Sequence, residues 1–176
     1  SLFTGRFALR SGTHSVPFGG VDEGLTQWEV TLGEALSDVG YATGYYGKWH
    51  LGSNPTGFNM WNILPGQGRY NDPILYDQSG SRTYTGYVTD VITDLAIDFI
   101  KKRPSDQPFF LMCHHKAPHR NWIPDEKNRK LFENLWATIQ AGRVWRGTLI
   151  NRRKDGRQYS EAQSISPIRD GTGKVT

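Results

Sequence analysis

Two short stretches carry residue types able to handle an anionic ester: Gly44-Tyr45-Tyr46-Gly47-Lys48-Trp49-His50-Leu51-Gly52 and Cys113-His114-His115-Lys116-Ala117-Pro118-His119. Each places a Lys or His cluster just past a short apolar run that reads as a β-strand. In an open α/β sheet, ligands bind outside the carboxyl ends of the strands. Two cationic clusters at two such ends suit a sulfate or phosphate ester: fixed cations match charge on oxygens, and histidine exchanges protons near neutral pH. Zinc is a weaker reading of His114, His115 and His119, because no second ligand cluster accompanies them.

The elements around these clusters alternate. Thr31 and Glu34 have capping-box spacing ahead of the apolar positions Leu32, Ala35, Leu36 and Val39, which predicts a helix closed by Gly40. Tyr41 to Tyr46 reads as a strand. Residues 48–84, rich in Gly and Pro, read as irregular, and a loop of that length is usually functional. Val88, Val91, Ile92, Leu95, Ala96, Phe99 and Ile100 recur at helical spacing, predicting a helix from Tyr87 to Lys102. Phe109 to Cys113 is a continuous apolar run, as expected of a buried parallel strand. The order helix, strand, helix, strand is an α/β pattern.

Later residues change character. Leu131 to Gln140 reads as a short helix, followed by strand-like runs at Val144 to Arg153 and Gln158 to Ile168. Asp155-Gly156 between them signals a hairpin. Residues 128–133 read as an exposed linker. With 176 residues and 36% hydrophobic content, the chain can form one domain or two small ones. A net charge of +4 is too small to imply nucleic acid. No apolar run approaches the roughly 20 residues of a membrane span, and no signal peptide is visible. The single Cys113 permits no internal disulfide, and its apolar setting reads as a small core residue.

Residues 1 to about 127 resemble the sulfatase family, within an expected domain of residues 1–130. Gly40-Tyr41-Ala42-Thr43-Gly44-Tyr45-Tyr46-Gly47-Lys48-Trp49-His50 is similar to its second signature. Leu2-Phe3-Thr4-Gly5 resembles the tail of its first, Cys-x-Pro-Ser-Arg-x-x-Leu-x-Thr-Gly. Leu64-Pro65-Gly66-Gln67-Gly68 and His115-Lys116-Ala117-Pro118-His119-Arg120 resemble segments of sulfatases acting on sulfated sugars, glucosamine-6-sulfatase-like members among them. The resemblance implies an alkaline-phosphatase-like α/β fold, a formylglycine nucleophile made from the first signature's Cys, and a Ca²⁺ beside it. It implies that Lys48 binds sulfate and the nucleophile oxygen, that His50 hydrogen-bonds the formylglycine hydroxyl and acts as base, and that His119 contacts sulfate and assists the leaving sugar oxygen. His115, Arg120 and Trp122 would bind substrate, a sulfated sugar or aryl sulfate. Between His114 and His115, a structural and a substrate-facing role both stay open, as does packing for Arg120 and Trp122.

The first signature's Cys-x-Pro-Ser-Arg and the family's Asp and Asn metal ligands do not occur in these residues. Neither formylglycine nor Ca²⁺ is therefore expected in this chain, which reads as an inactive fragment with no metal residues of its own. Residues 131–176 resemble the later part of a PAS sensory domain, on Leu135-Trp136-Ala137-Thr138-Ile139-Gln140-Ala141-Gly142-Arg143-Val144-Trp145-Arg146-Gly147, Asn151-Arg152-Arg153-Lys154-Asp155-Gly156 and Ile165-Ser166-Pro167-Ile168-Arg169-Asp170. The expected fold is thus a partial sulfatase-like sheet with helices, followed by a PAS-like helix and antiparallel hairpin. Two such pieces imply a signalling module, a true fusion or a chimeric gene product. Sequence alone assigns no compartment and no oligomeric state.

Overall fold

A computed structural model describes residues 2–13, 24–26 and 28–175. Residues 6–28, rich in Gly, Ser and Thr, read from sequence as a long surface loop and fall partly outside them. The chain divides into two compact units, Ser1–Ile123 and Pro124–Thr176.

The first unit opens with a turn at residues 2–4, closed by Gly5 at φ +64°. Helix α1 (Leu32–Asp38) follows. Its capping box is complete: the Thr31 hydroxyl accepts from Glu34 N–H at 3.1 Å, and the Glu34 carboxylate accepts from Thr31 N–H at 2.8 Å. Such a cap contributes about 1 kcal/mol. Strand β1 (Ala42–Trp49) is the spine of a five-stranded sheet with β2 (Met60–Pro65), β3 (Ile74–Asp77), β4 (Gly80–Thr83) and β5 (Phe109–His114), in the order β4-β3-β2-β1-β5. Strand β1 runs parallel to β2 and β5, while β2–β3 and β3–β4 are antiparallel. Both faces of β1 are covered, which explains its nearly unbroken burial. On one face helix α2 (Val88–Lys102) buries Val88, Ile92, Ala96 and Phe99 against Tyr46, Leu64 and Leu75. On the other, Tyr45, Trp49, Phe58, Trp61, Ile63 and Met112 form an aromatic cluster.

Several expectations need correction. Residues 48–84 are not irregular throughout: they hold β2, β3 and β4. These strands are short, and β4 is exposed along its length, so no alternation marks it. Strand β1 extends three residues beyond Tyr46, so Lys48 lies within the strand and only His50 lies past it. Strand β5 is parallel as expected, but it stands at the sheet's edge, with Phe109 and Cys113 exposed. Cys113 is therefore not a core residue. An apolar run shows which residues can be buried, and sheet position decides which of them are.

The second unit contains α3 (Glu126–Gln140) and an antiparallel pair, β6 (Trp145–Arg152) and β7 (Gln158–Ile165). Helix α3 starts five residues ahead of Leu131. Asp125 caps it, its carboxylate accepting from Asn128 N–H at 2.9 Å, so the stretch expected as a linker is helical. The hairpin forms as expected, but through a longer connection. Gly156 N–H donates to the Arg153 carbonyl and Gly156 adopts φ +87°, a turn followed by a left-handed glycine. Leu135 and Ile139 of α3 pack against Trp145 and Ile165.

Candidate anion-binding site

Strand register sets the carboxyl ends of three parallel strands side by side. Gly47 stands opposite His114 of β5 and Ile63 of β2, and Trp49 stands opposite Pro65. The segments leaving those ends carry His50, then Gly66 to Tyr70, then His115 to Trp122.

Lys48 reaches from β1 across to β2's outgoing loop. Its Nζ donates to the Gly66 carbonyl at 3.0 Å and to Gln67 Oε1 at 3.2 Å. Lys116 is buried, its Nζ lying 4.5 Å from the centre of the Tyr70 ring, a cation–π contact. The Tyr70 hydroxyl donates to the His119 carbonyl at 2.6 Å. Tyr70 thus holds Lys116 through its ring and the His119 segment through its oxygen. The ring itself stacks on Tyr87 at 5.9 Å.

The electrostatics of this cluster are unbalanced. Burial lowers the pKa of Lys48, and the Lys116 charge lowers it further. Burial lowers that of Lys116 as well. Among the described residues no carboxylate pairs with either ammonium. Two partly dehydrated like charges are costly alone and favourable around an anion.

The histidines separate by role. His114 is locked into the fold: the Tyr45 hydroxyl donates to the Lys48 carbonyl at 2.6 Å and lies 2.8 Å from His114 Nδ1. Burial, then the charge on Cys113, raises the Tyr45 pKa well above that of a free phenol, so Tyr45 keeps its proton. With that proton given to Lys48, the hydroxyl accepts from His114, which must carry hydrogen on Nδ1. Burial and neighbouring His115 hold His114 below its usual titration range. His114 is the structural member of the pair. His115 is exposed, its Nε2 3.9 Å from Cys113 Sγ. His119 is half-buried and its Nδ1 donates to the Arg120 carbonyl, which leaves Nε2 to accept or, when protonated, to donate. Arg120 and Trp122 are exposed. The side chains of His50 and Arg120 make no hydrogen bond or ion pair to the lysine cluster among the described residues.

Sequence reading missed Lys116, Tyr70 and Gln67. Lys116 sat inside a motif noticed for its histidines, although a Lys in His-Lys-Ala-Pro-His was signal enough. Tyr70 lies 46 residues before Lys116 in sequence, and no local pattern joins them. Among the described residues no group of three or more His, Cys, Asp or Glu could hold a metal ion.

Lys116→Met should weaken anion binding while relieving the free protein of a buried, unpaired charge, the usual conflict between a functional charge and the fold. The sign follows from linkage. A lysine whose folded pKa lies below 10.5 is penalised while charged, and the penalty disappears as pH rises from the folded pKa toward 10.5. The gain should be full at neutral pH and vanish at strongly alkaline pH. Thermal melts of both proteins from pH 7 to 10.5 check this; a lower melting temperature for Lys116→Met at pH 7 would contradict it.

The sulfatase family profile matches residues 1–141, and the chain belongs to the sulfatase family. The N-acetylglucosamine-6-O-sulfatase of Bacteroides thetaiotaomicron is 39% identical over 138 residues, covering 76% of this chain and 24% of that protein. The goat N-acetylglucosamine-6-sulfatase is 28% identical over 116 residues, covering 57% of this chain and 21% of its own. The chain thus spans about a quarter of the length of these relatives. A solved structure of an enzyme in complex with its substrate D-glucosamine-2-N,6-O-disulfate superposes with TM-score 0.67 at 37% identity, over 81% of this chain and 30% of the other. An α/β fold with a mixed sheet is common to both. The family match ends at residue 141, ahead of β6.

Proposed function

We propose that this chain forms the sulfate-binding side of a sulfatase site for a 6-sulfated amino sugar. The observation that carries the reading is the pair Lys48 and Lys116, two ammonium groups near parallel strand ends with no carboxylate partner among the described residues. Relatives named for 6-sulfated N-acetylglucosamine, and one solved with a glucosamine disulfate, support the choice of sugar.

In this reading Lys48 and Lys116 neutralise the sulfate oxygens. His119, with Nδ1 engaged, presents Nε2 toward the ester oxygen that leaves with the sugar. His50 serves as the second proton carrier. His115, Arg120 and Trp122 line the sugar side, Trp122 by stacking. In this family formylglycine supplies the nucleophile. The only cysteine here, Cys113, lies between Met112 and His114 on an exposed strand, outside a Cys-x-Pro-Ser-Arg context.

Binding and turnover should therefore separate. Calorimetric titration should show glucosamine-6-sulfate binding at least tenfold more tightly than glucosamine, while sulfate release stays at background. Because the lysines deprotonate below pH 10.5, that preference should fade at a lower pH than for ordinary lysines. Equal affinity for both sugars would overturn the reading, and steady sulfate release would show that another group attacks sulfur.

For the residues past the family match, which takes in α3, the β6–β7 hairpin supports a separate reading as closing strands of a PAS-type module, joined as a fusion or chimera. Long sequencing reads across the DNA encoding Pro124 to Trp136 test the junction; an unbroken sulfatase frame there in every read would remove the chimera.

A further inference from the structure

The β6–β7 hairpin has two unlike faces. Trp145 and Leu149 of β6, with Ile165 of β7, turn toward Leu135 and Ile139 of α3. The alternate positions Arg146, Thr148, Ile150 and Arg152 are exposed. Opposite them in register stand Ser164, Ala162, Ser160 and Gln158, also exposed. The middle of this outer face carries Thr148, Ser160 and Ala162 beside a strongly exposed Ile150, with a guanidinium near each end. Six residues of strand set Arg146 and Arg152 about 20 Å apart. A shallow groove of about 450 Å³ runs beside Arg146, Thr148, Ala162 and Ser164.

The charge on this face is uncompensated. Glu161 is engaged by the Asn151 amide at 2.6 Å and lies on the opposite face, while Asp155 is taken by Arg157 at 2.7 Å. Arg146, Arg152, Arg153 and Lys154 have no carboxylate partner among the described residues, and Arg153 sits over the Tyr159 ring at 5.5 Å. Nothing in the fold requires that concentration of cations on one hairpin.

We infer that the outer face of the β6–β7 hairpin binds a linear sulfated oligosaccharide. A guanidinium forks onto two oxygens of a sulfate much as it does onto a phosphate. Thr148, Ser160, Ser164 and Gln158 offer the neutral donors and acceptors that sugar hydroxyls require. A 20 Å separation of charges exceeds one sugar and suits several in a row. Single-stranded nucleic acid fits less well: bases need aromatic rings to stack on, and none lies between the arginines on this face. The identity of the polyanion rests on the sulfated-sugar reading of the first unit; the face itself does not.

The test uses the full chain and four probes: a size-defined heparin hexasaccharide, its desulfated form, glucosamine-6-sulfate, and a single-stranded DNA of equal charge. The hexasaccharide should bind more tightly than the monosaccharide. Arg146→Ser/Arg152→Ser should weaken hexasaccharide binding about tenfold at low salt and flatten its salt dependence, with monosaccharide affinity unchanged. Arg146→Lys/Arg152→Lys, which keeps the charge but not the fork, should fall between, and serves as the folding control. Hexasaccharide affinity indifferent to the double substitution would overturn the inference, as would equal binding of the DNA or of the desulfated sugar. If Lys48→Met leaves monosaccharide binding intact while the arginine dependence persists, the first unit's site fails and the hairpin surface stands.

Discussion

Gly47→Ala is expected to prevent stable folding of the first unit. Gly47 lies inside β1 at φ +111°, where an L side chain is strained. A Cβ there would stand 1.9 Å from the His114 carbonyl oxygen and 2.7 Å from its carbon. Those atoms are backbone of β5, so relief requires parting β1 from β5. The expected cost exceeds about 4 kcal/mol, the range reserved for disruption of the core or backbone. Gly40→Ala is the internal control. Its φ of +88° is also left-handed, yet nothing lies within 4 Å of the added carbon. That change should cost about 1–2 kcal/mol and leave a folded protein. Urea denaturation of both separates the two causes; a Gly47→Ala protein as stable as Gly40→Ala would show that the strands accommodate the side chain.

Tyr70→Ala is expected to damage both stability and binding. The side chain is buried, and removal of a buried ring costs about 3–5 kcal/mol. It also strips Lys116 of its aromatic partner and frees the His119 carbonyl. Tyr70→Phe divides the effects. The ring and its cation–π contact remain, while the bond to His119 is lost, at about 1 kcal/mol. Sulfated-sugar affinity should fall severalfold in Tyr70→Phe and at least a hundredfold in Tyr70→Ala, measured by titration at a temperature where both are folded. Equal affinity in Tyr70→Ala and the parent protein would mean that Lys116 does not need Tyr70 to meet its ligand.

Much of the first unit's frame was legible in sequence. The capping box at Thr31 and Glu34 marked α1, and the 3.6-residue stripe from Val88 to Ile100 marked α2, because both signals are local. The parallel pairing of β1 with β5 followed from two apolar runs separated by a helix. Strands β3 and β4 did not announce themselves: each is four residues long and largely exposed, and each is stabilised by its neighbour more than by its own pattern. The start of α3 escaped because Pro124-Asp125 reads as a turn until the Asp125 side chain is seen capping Asn128. At the site, Lys48 and His119 could be marked from motifs. The partnership of Lys116 with Tyr70 could not, because it depends on how the loop after β2 meets the loop after β5.

The central claim, that Lys48 and Lys116 together receive a sulfate group, is open to direct observation. Nuclear magnetic resonance of selectively labelled lysine side chains follows both ammonium groups through pH titration, with and without glucosamine-6-sulfate. In the free protein both should titrate below 10.5. On adding the sugar both titrations should move upward, because the bound anion favours the charged forms, and Lys48→Met should remove most of the affinity. Lysine titrations that stay fixed at saturating glucosamine-6-sulfate, or an affinity unchanged by Lys48→Met, would contradict it.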